Sequence, residues 1–530
     1  MVADRVSFDE IRRFLHSMAP EVKVIVSDDL CQPYALRHLI ERDRKRPVVV
    51  GACSQLRPKP YVWKDESTES RNLQCTAYFD LLEETGAHYS NAEITERVKL
   101  LLWAQITRAR DFKEVSQHNL SFRVARLQGE VSRRELAAML LPHYEIVPFI
   151  DPTKCVGEMK CKLCQGICPL KAISIDENTV TIDKSMCSGC GACVAVCPHG
   201  AISYPTFSLE EVNSELEGLL LREDVLLDPR IIALTCQCCF TGYGDDGKNP
   251  LRYPLTMLPL TLPSLAMASP WLLLSAFYIG AQGLALITGN EKRHPEIEKA
   301  VWQDNVRFTQ ELLDRLGIGG QRIRVFDLEN NNKHDTEQEL ERFVSHIDKL
   351  GPTPFKETEH TCPCIVCIDG QRLIALIKDM GSKLARSLEG TISMENMPFG
   401  TVELDATKCT GCGLCALNCP TDAITILTHG NGVDYELLFQ YDSCVACGMC
   451  INICPENSLT LEHILDLHRI GGPASVLFHD SIVLCRRCSR PVAPKSMLDR
   501  LSERLRETGN GLTEWLDLCP DCKIETQRYT

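Results

Sequence analysis

Sixteen of the chain's 29 cysteines fall into four runs of nearly identical spacing. They are Cys155, Cys161, Cys164 and Cys168; Cys187, Cys190, Cys193 and Cys197; Cys409, Cys412, Cys415 and Cys419; and Cys444, Cys447, Cys450 and Cys454. Every run ends in Cys-Pro, and the last three read C-x2-C-x2-C-x3-C-P without deviation. Two-residue gaps on a tight loop turn successive sulfurs toward one point. The proline closes the loop because it fixes φ and has no N–H. Four converging thiolates are what a cubane iron–sulfur cluster requires, and the chemistry such clusters do is electron transfer.

In two-cluster proteins of the bacterial ferredoxin type, the last cysteine of each run ligates the other cluster. Four [4Fe-4S] clusters follow. The first takes Cys155, Cys161, Cys164 and Cys197, and the second Cys187, Cys190, Cys193 and Cys168. The third takes Cys409, Cys412, Cys415 and Cys454, and the fourth Cys444, Cys447, Cys450 and Cys419. Zinc motifs, the competing reading, more often come as two C-x2-C pairs than as runs of four ending in proline. The first run departs from the pattern, since Val156 to Lys160 separate Cys155 from Cys161.

The surroundings of the runs repeat as well. Each Cys-Pro leads into a short apolar segment: PLKAISI, PHGAISY, PTDAITI and PENSLTL. Asp151, Asp183 and Asp405 stand four residues before three of the runs, and Asp442 precedes the fourth. These are copies of one strand–loop–helix unit, paired twice.

The 530 residues suffice for three or four domains. A net charge of −14 offers no electrostatic footprint for nucleic acid. Cysteine used as ligand runs in a chain this long points to a reducing, cytoplasmic setting. Arg12-Arg13-Phe14-Leu15 looks like a twin-arginine signal, but no apolar stretch follows it, so export is not expected. Residues 267–289 carry no charge and are long enough to span a bilayer. Pro270, Gly280 and Gly283 divide them, however. They read as a buried helix from Trp271 to Tyr278, a turn, and a buried strand from Leu284 to Thr288.

The expected fold is α/β plus α+β. Two 2[4Fe-4S] ferredoxin units sit among small parallel-sheet α/β domains, and a zinc-ribbon-like tail ends the chain. An α/β domain occupies 1–118, with strands at 23–27 and 47–52 and a long helix at 92–115. A connector at 119–149 contains the capping signal Ser132-x-x-Glu135. The first ferredoxin unit covers 150–206. A linker helix at 207–228 is capped by Ser208-x-x-Glu211. A second α/β domain covers 229–345, with strands RIIALTC, GLALITG and IRVFDL and a helix at about 295–316. A polar segment, ENNNKHDTEQELE, follows the last of these strands. A Cys-containing connector at 346–399, the second ferredoxin unit at 400–462 and the tail at 463–530 complete the chain.

The stretches DDLCQPYALRHLI, VVVGACSQLRPKP, LLWAQITRAR and SLEEVNSEL resemble the N-terminal and ferredoxin parts of the A subunit of heterodisulfide reductase. The flavin domain of that family is missing, so no flavin is expected. Residues 230–328 resemble the delta subunit of methyl-viologen-reducing hydrogenase. The likeness lies in a strand ending in Cys236, Cys238 and Cys239, a Pro- and Leu-rich middle, GLALITG, and the helix before IRVFDL. The resemblance implies a two-iron cluster there, with further cysteines after the middle strands. This chain has SLAMASP and ITGNEKRHPE at those places, without cysteine. Either that cluster is lost, or Cys236, Cys238 and Cys239 are completed by Cys362, Cys364 and Cys367 of HTCPCIVC. Cys31, Cys53 and Cys75 pose the same choice between a further cluster and core thiols. Cys485, Cys488, Cys519 and Cys522 form two C-x2-C pairs, the pattern of a closed structural zinc site.

No nucleotide loop and no acid–base pair is evident, and solitary histidines such as His16 and His143 read as core or surface. The resemblances imply an electron-transfer subunit of a redox complex. Its partners would be a terminal reductase and a flavin-containing or hydrogenase subunit, with no nucleic acid and no membrane. The second α/β domain is expected to dock between the two ferredoxin units. The alternatives are a reductase whose active cluster uses Cys236, Cys238, Cys239, Cys362, Cys364 and Cys367, and an iron–sulfur assembly scaffold.

Overall fold

A computed structural model describes residues 6–24, 48–52, 76–80, 89–111, 120–123, 143–155, 161–176, 179–197, 200–204, 207–222, 225, 227–236, 253–289, 296–328, 333–355, 372–386, 388–393, 399–430, 433–507 and 515–529. Near the N-terminus a helix, Phe8–Met18, buries Ile11 and Leu15, four residues apart on one face. Strands β1 (Val48–Ala52) and β2 (Thr76–Asp80) pair in parallel, Val48 opposite Thr76. The strand expected at 23–27 does not include Lys23 or Val24, and the rest of it lies outside the described residues.

The helix expected at 92–115 runs Asn91–Arg110. Ser90 and Glu93 close a reciprocal capping box at its start, and Asp111 caps its end. In the connector, β3 (Leu120–Arg123) and β4 (His143–Ile146) form an antiparallel pair. The Ser132–Glu135 signal lies outside the described residues.

The first cysteine-rich unit is framed by β5 (Phe149–Ile150) and β8 (Ile202–Ser203), which pair antiparallel. Inside the frame a short hairpin, β6 (Ile173–Asp176) and β7 (Thr179–Ile182), joins two one-turn helices, Leu163–Ile167 and Ala192–Val196. The helix Leu209–Leu220 leads out, and the Ser208 hydroxyl accepts from the Glu211 N–H as the sequence predicts. This helix lies along Asn91–Arg110. Between them the buried Glu215 carboxylate takes Arg108 Nη1 at 2.7 Å and Gln105 Nε2 at 2.6 Å.

Residues 231–327 build a four-stranded parallel sheet of β9 (Ile231–Cys236), β10 (Met257–Leu262), β11 (Gly283–Thr288) and β12 (Ile323–Asp327), in the order β10-β9-β11-β12. β9 is buried at every residue, as a sheet covered on both faces requires. Ile231 and Ala233 face a core with Leu340, Phe343 and Ile347. Ile232, Leu234 and Cys236 belong to the larger core that also holds Ile173, Cys193 and the helix Pro270–Ile279.

That helix opens with Ser269 capping the Leu272 N–H and Pro270 in its first turn, and stops at Gly280. The stretch 267–289 is thus a buried helix and a buried strand, as its prolines and glycines predict. Among the described residues no helix is long and apolar enough to cross a membrane.

Two elements here were not foreseen. β10 reads MLPLTL, and its Pro259 argues against a central strand. It lies at the sheet's edge, where the missing N–H costs no ladder bond. The polar segment after β12 is the start of a helix, Lys333–Leu350, which covers one face of the sheet and crosses the expected boundary at 345.

A helix, Arg372–Lys383, and β13 (Thr391–Ser393) precede the second cysteine-rich unit. Its frame is β14 (Thr401–Leu404) with β17 (Leu459–Glu462), and its hairpin is β15 (Ile424–His429) with β16 (Asp434–Phe439). The one-turn helices are Leu414–Leu417 and Met449–Ile453. β18 (Ile464–Asp466) pairs with β13.

The tail is not a separate module. β19 (Ser475–Leu484) pairs with β16 on one side and β20 (Pro491–Pro494) on the other, giving one sheet of order β15-β16-β19-β20. The helices Lys495–Glu507 and Pro520–Tyr529 follow.

Candidate iron–sulfur centres and a tail metal site

Three of the runs open with the same local geometry. The carbonyls of Asp151, Asp183 and Asp405 accept the N–H of Cys155, Cys187 and Cys409 at 2.9–3.1 Å. Their carboxylates accept the N–H and hydroxyl of Thr153, Ser185 and Thr407. Cys444 differs, its N–H going to the Tyr441 carbonyl. Backbone N–H groups then aim at sulfur. Ala172 points at Cys168 Sγ at 3.2 Å, Ala423 at Cys419 at 3.2 Å, and Ser458 at Cys454 at 3.4 Å. Gly189 and Gly411 point at Cys187 and Cys409, each at 3.4 Å.

The residue after the second cysteine of a run is left-handed in Gly191, Gly413 and Gly448. In the first run this position is Lys162 with φ −122°, so the longer gap brings a different loop. Its intervening residues 156–160 lie outside the described set.

Electrostatic neighbours group the thiols. The electrostatic neighbours of Cys161 and Cys164 include Cys197 and Cys155. Those of Cys193 include Cys190, Cys187 and Cys168. Cys415 has Cys409, Cys412 and Cys454, and Cys450 has Cys444, Cys447 and Cys419. Burial, with like neighbours behind it, pushes Cys161, Cys164, Cys415, Cys444 and Cys450 up to about 12. Burial also acts at Cys454, but the Ser458 hydroxyl and N–H outweigh it and that thiol is lowered. Crowded buried thiolates need a cation among them, and metal binding would release their protons. A second sign of an intended occupant is Tyr435, whose buried hydroxyl has no hydrogen-bond partner and stands beside Cys415, Cys409 and Cys412. The residues fit iron–sulfur clusters.

Electrostatic neighbours link the sets in one order. Cys193 neighbours Cys164 within the first unit, and Cys450 neighbours Cys415 within the second. Between the units, Cys161 and Cys447 are close enough to interact. The parallel-sheet domain was expected to lie between the units. It packs toward both, Met267 on Gly191 of the first unit and Phe308 stacking on Phe399, next to the second, at 5.4 Å.

In the tail, Cys485 follows β19, Cys488 lies in the turn to β20, and Cys519 and Cys522 open the last helix. Among the described residues this is the one set of ligand atoms all within 4.8 Å of one another. Cys488 Sγ lies 3.5 Å from Cys519 Sγ. Four sulfurs around one tetrahedral zinc would stand about 3.8 Å apart, from a Zn–S bond of about 2.3 Å. The Cys519 N–H, foremost among several donors, holds the Cys485 thiol down at about 6, which favours its role as a thiolate ligand.

Of the unassigned cysteines, Cys236 alone is described. It is buried at the carboxyl end of β9, facing the core shared with the first unit. It is disulfide-bonded. Cys31, Cys53, Cys75, Cys238, Cys239, Cys362, Cys364 and Cys367 lie outside the described residues. Tyr435 was not foreseen as a site residue. Its signal was the alternation of Tyr435, Leu437 and Phe439 in DYELLF, which buries every second side chain.

Comparison with known proteins gives two family matches. Residues 132–201 and 395–463 match the 4Fe-4S dicluster domain, and residues 231–351 match the delta subunit of methyl-viologen-reducing hydrogenase. The iron-sulfur D subunit of the F420-non-reducing hydrogenase vhu of Methanocaldococcus jannaschii is 33% identical over 138 residues, 24% of this chain and 98% of that protein. The A subunit of the ferredoxin:CoB-CoM heterodisulfide reductase of Methanosarcina acetivorans is 30% identical over 173 residues, 32% of this chain and 20% of that protein. The B subunit of the ion-translocating oxidoreductase complex of the same organism is 49% identical over 47 residues, 9% of this chain and 18% of that protein.

Proposed function

We propose a relay that starts from one premise: this chain belongs to the family of the methyl-viologen-reducing hydrogenase delta subunit, carried at residues 231–351 between two 4Fe-4S dicluster domains. It is an iron–sulfur subunit with an electron-transfer role, and it acts with other subunits of an oxidoreductase complex. Beyond this, the four ligand sets would hold four [4Fe-4S] clusters, which take up and release single electrons when bound.

The sets would lie in one line. Cys187, Cys190, Cys193 and Cys168 come first, then Cys155, Cys161, Cys164 and Cys197. Cys444, Cys447, Cys450 and Cys419 follow, and Cys409, Cys412, Cys415 and Cys454 come last. The observation that carries this order is the meeting of Cys161 with Cys447, which joins two otherwise separate pairs. The protein's part is to hold the sulfurs, exclude water and donate N–H bonds to them. Donors stabilise the more negative reduced state and so set the potential.

The partner at one end would be a flavin-containing or hydrogenase subunit. The partner at the other would be a terminal reductase, all in the cytoplasm, and this chain itself would carry no flavin. The tail cysteines would hold one structural zinc in a zinc-ribbon-like fold. A fifth iron–sulfur site at Cys236, Cys238 and Cys239 with Cys362, Cys364 and Cys367 would need the Cys236 disulfide reduced; the place of Cys236, at the carboxyl end of a central parallel strand, supports it.

A pair of variants tests the relay. Cys190→Ser and Cys412→Ser should each stop turnover of the reconstituted complex. One of them should leave donor-driven bleaching of the other unit intact, which also tells at which end electrons enter. Full turnover in both variants would place the clusters off the path.

A further inference from the structure

The second dicluster unit contains a polar group that the fold leaves unused. Tyr435 lies on β16 and is 4% exposed, in a core with Cys415, Cys444 and Phe478. Its hydroxyl is buried and has no hydrogen-bond partner. Leaving such a group unpaired costs about 1–3 kcal/mol.

The hydroxyl's position is specific. A Cβ placed on Gly413, between Cys412 and Cys415, would stand 3.4 Å from it. The groups that bear on it electrostatically are Cys415, Cys409, Cys412 and Asp480. Asp480 sits opposite Tyr435 across the strand pair, but its carboxylate is already taken by the N–H groups of Ser481 and Ser496, at 2.8 Å each. A tyrosine hydroxyl is protonated at neutral pH and can donate.

Among the described residues the first unit's hairpin has no counterpart. It ends at the pair Asp176–Thr179, four residues to a strand. The second unit's hairpin runs two pairs further, and the first of the added pairs, Thr428–Tyr435, supplies the tyrosine.

We propose that the Tyr435 hydroxyl donates a hydrogen bond to a sulfur of the cluster held by Cys409, Cys412, Cys415 and Cys454, and so sets that cluster at a higher potential than its counterpart in the first unit. The inference rests on the ligand assignment given above. A donor to sulfur favours the reduced state, because reduction adds negative charge to the acceptor. The last set of the line would then be the electron sink of the relay.

The test is Tyr435→Phe in the full chain, loaded with iron and sulfide and titrated electrochemically with EPR detection. The change removes one oxygen that has no protein partner, so folding is not at stake. Tyr441→Phe is the control, because the Tyr441 hydroxyl is already paired, donating to the Ile464 carbonyl at 2.9 Å. Cys412→Ser identifies the EPR signal of the relevant cluster.

In Tyr435→Phe that signal's oxidised-to-reduced ratio, read at the wild-type midpoint, should rise roughly tenfold, a downward shift of about 59 mV for a one-electron couple. The other signals should stay in place. An unmoved midpoint with full cluster content overturns the proposal, as does a shift in another cluster or an equal shift in Tyr441→Phe. A wild-type chain without clusters in its second unit overturns it together with the relay.

Discussion

The two dicluster units share a ligand pattern and differ in what holds them. The first is moored by helices: Asn91–Arg110 and Leu209–Leu220 clasp each other through the buried Arg108–Glu215 pair. Met267 of the parallel-sheet domain presses on its Gly191 loop. The second is moored by strands, its hairpin continuing through β16 into β19 and β20 of the tail. The cysteine spacing dictates the loop, and the loop dictates the sulfur cage. The neighbours of the cage are free to differ, and through them one unit acquires Tyr435 while the other acquires a contact with the parallel sheet.

The largest expected effect follows from the tail. Cys522→Ser should remove one zinc per chain and unfold residues 480–530, since structural zinc supplies folding free energy directly, on the order of 10 kcal/mol. The second unit would lose the sheet that flanks it, and the first unit would not. Metal analysis with limited proteolysis should show zinc loss and new cleavage confined to the C-terminal region, with the EPR signals of the first unit unchanged. Equal damage to both units would erase the proposed difference in mooring.

A smaller effect separates two loops of the same design. Gly191 and Gly448 have φ of +73° and +74°, so alanine at either costs about 1–2 kcal/mol from the left-handed backbone alone. At Gly191 the new methyl would also run into Met267 Cγ, whereas at Gly448 nothing lies within 4 Å. Overpacking adds about 1–3 kcal/mol. Gly191→Ala should therefore lose its unit's cluster absorbance at a lower temperature than Gly448→Ala. Identical thermal profiles would show that the Met267 contact holds nothing.

Much of this was legible in the sequence because it is local. The four runs and the Ser208 cap each need only a few residues. The split of 267–289 into helix and strand followed from Pro270 and Gly280. The missed elements are those that tertiary context decides. β10 carries a proline that only an edge position tolerates. The helix Lys333–Leu350 is polar along most of its length, and the apolar stripe of Leu340, Phe343 and Ile347 at helical spacing was its only mark. The pairing of β16 with β19 and the meeting of Cys161 with Cys447 join residues far apart in the chain, and no local pattern encodes such contacts. The Tyr435 hydroxyl belongs to the same class, because the alternation of DYELLF predicts burial but not the cysteines it would face.

The central claim is that four complete ligand sets carry the relay. The most direct measurement is iron and acid-labile sulfide in the anaerobically purified full chain. Both should reach about 16 per chain from the four sets alone, and more if a fifth site is filled. Fully loaded protein that holds about 8 of each would contradict the account, because one of the two units would then carry no clusters.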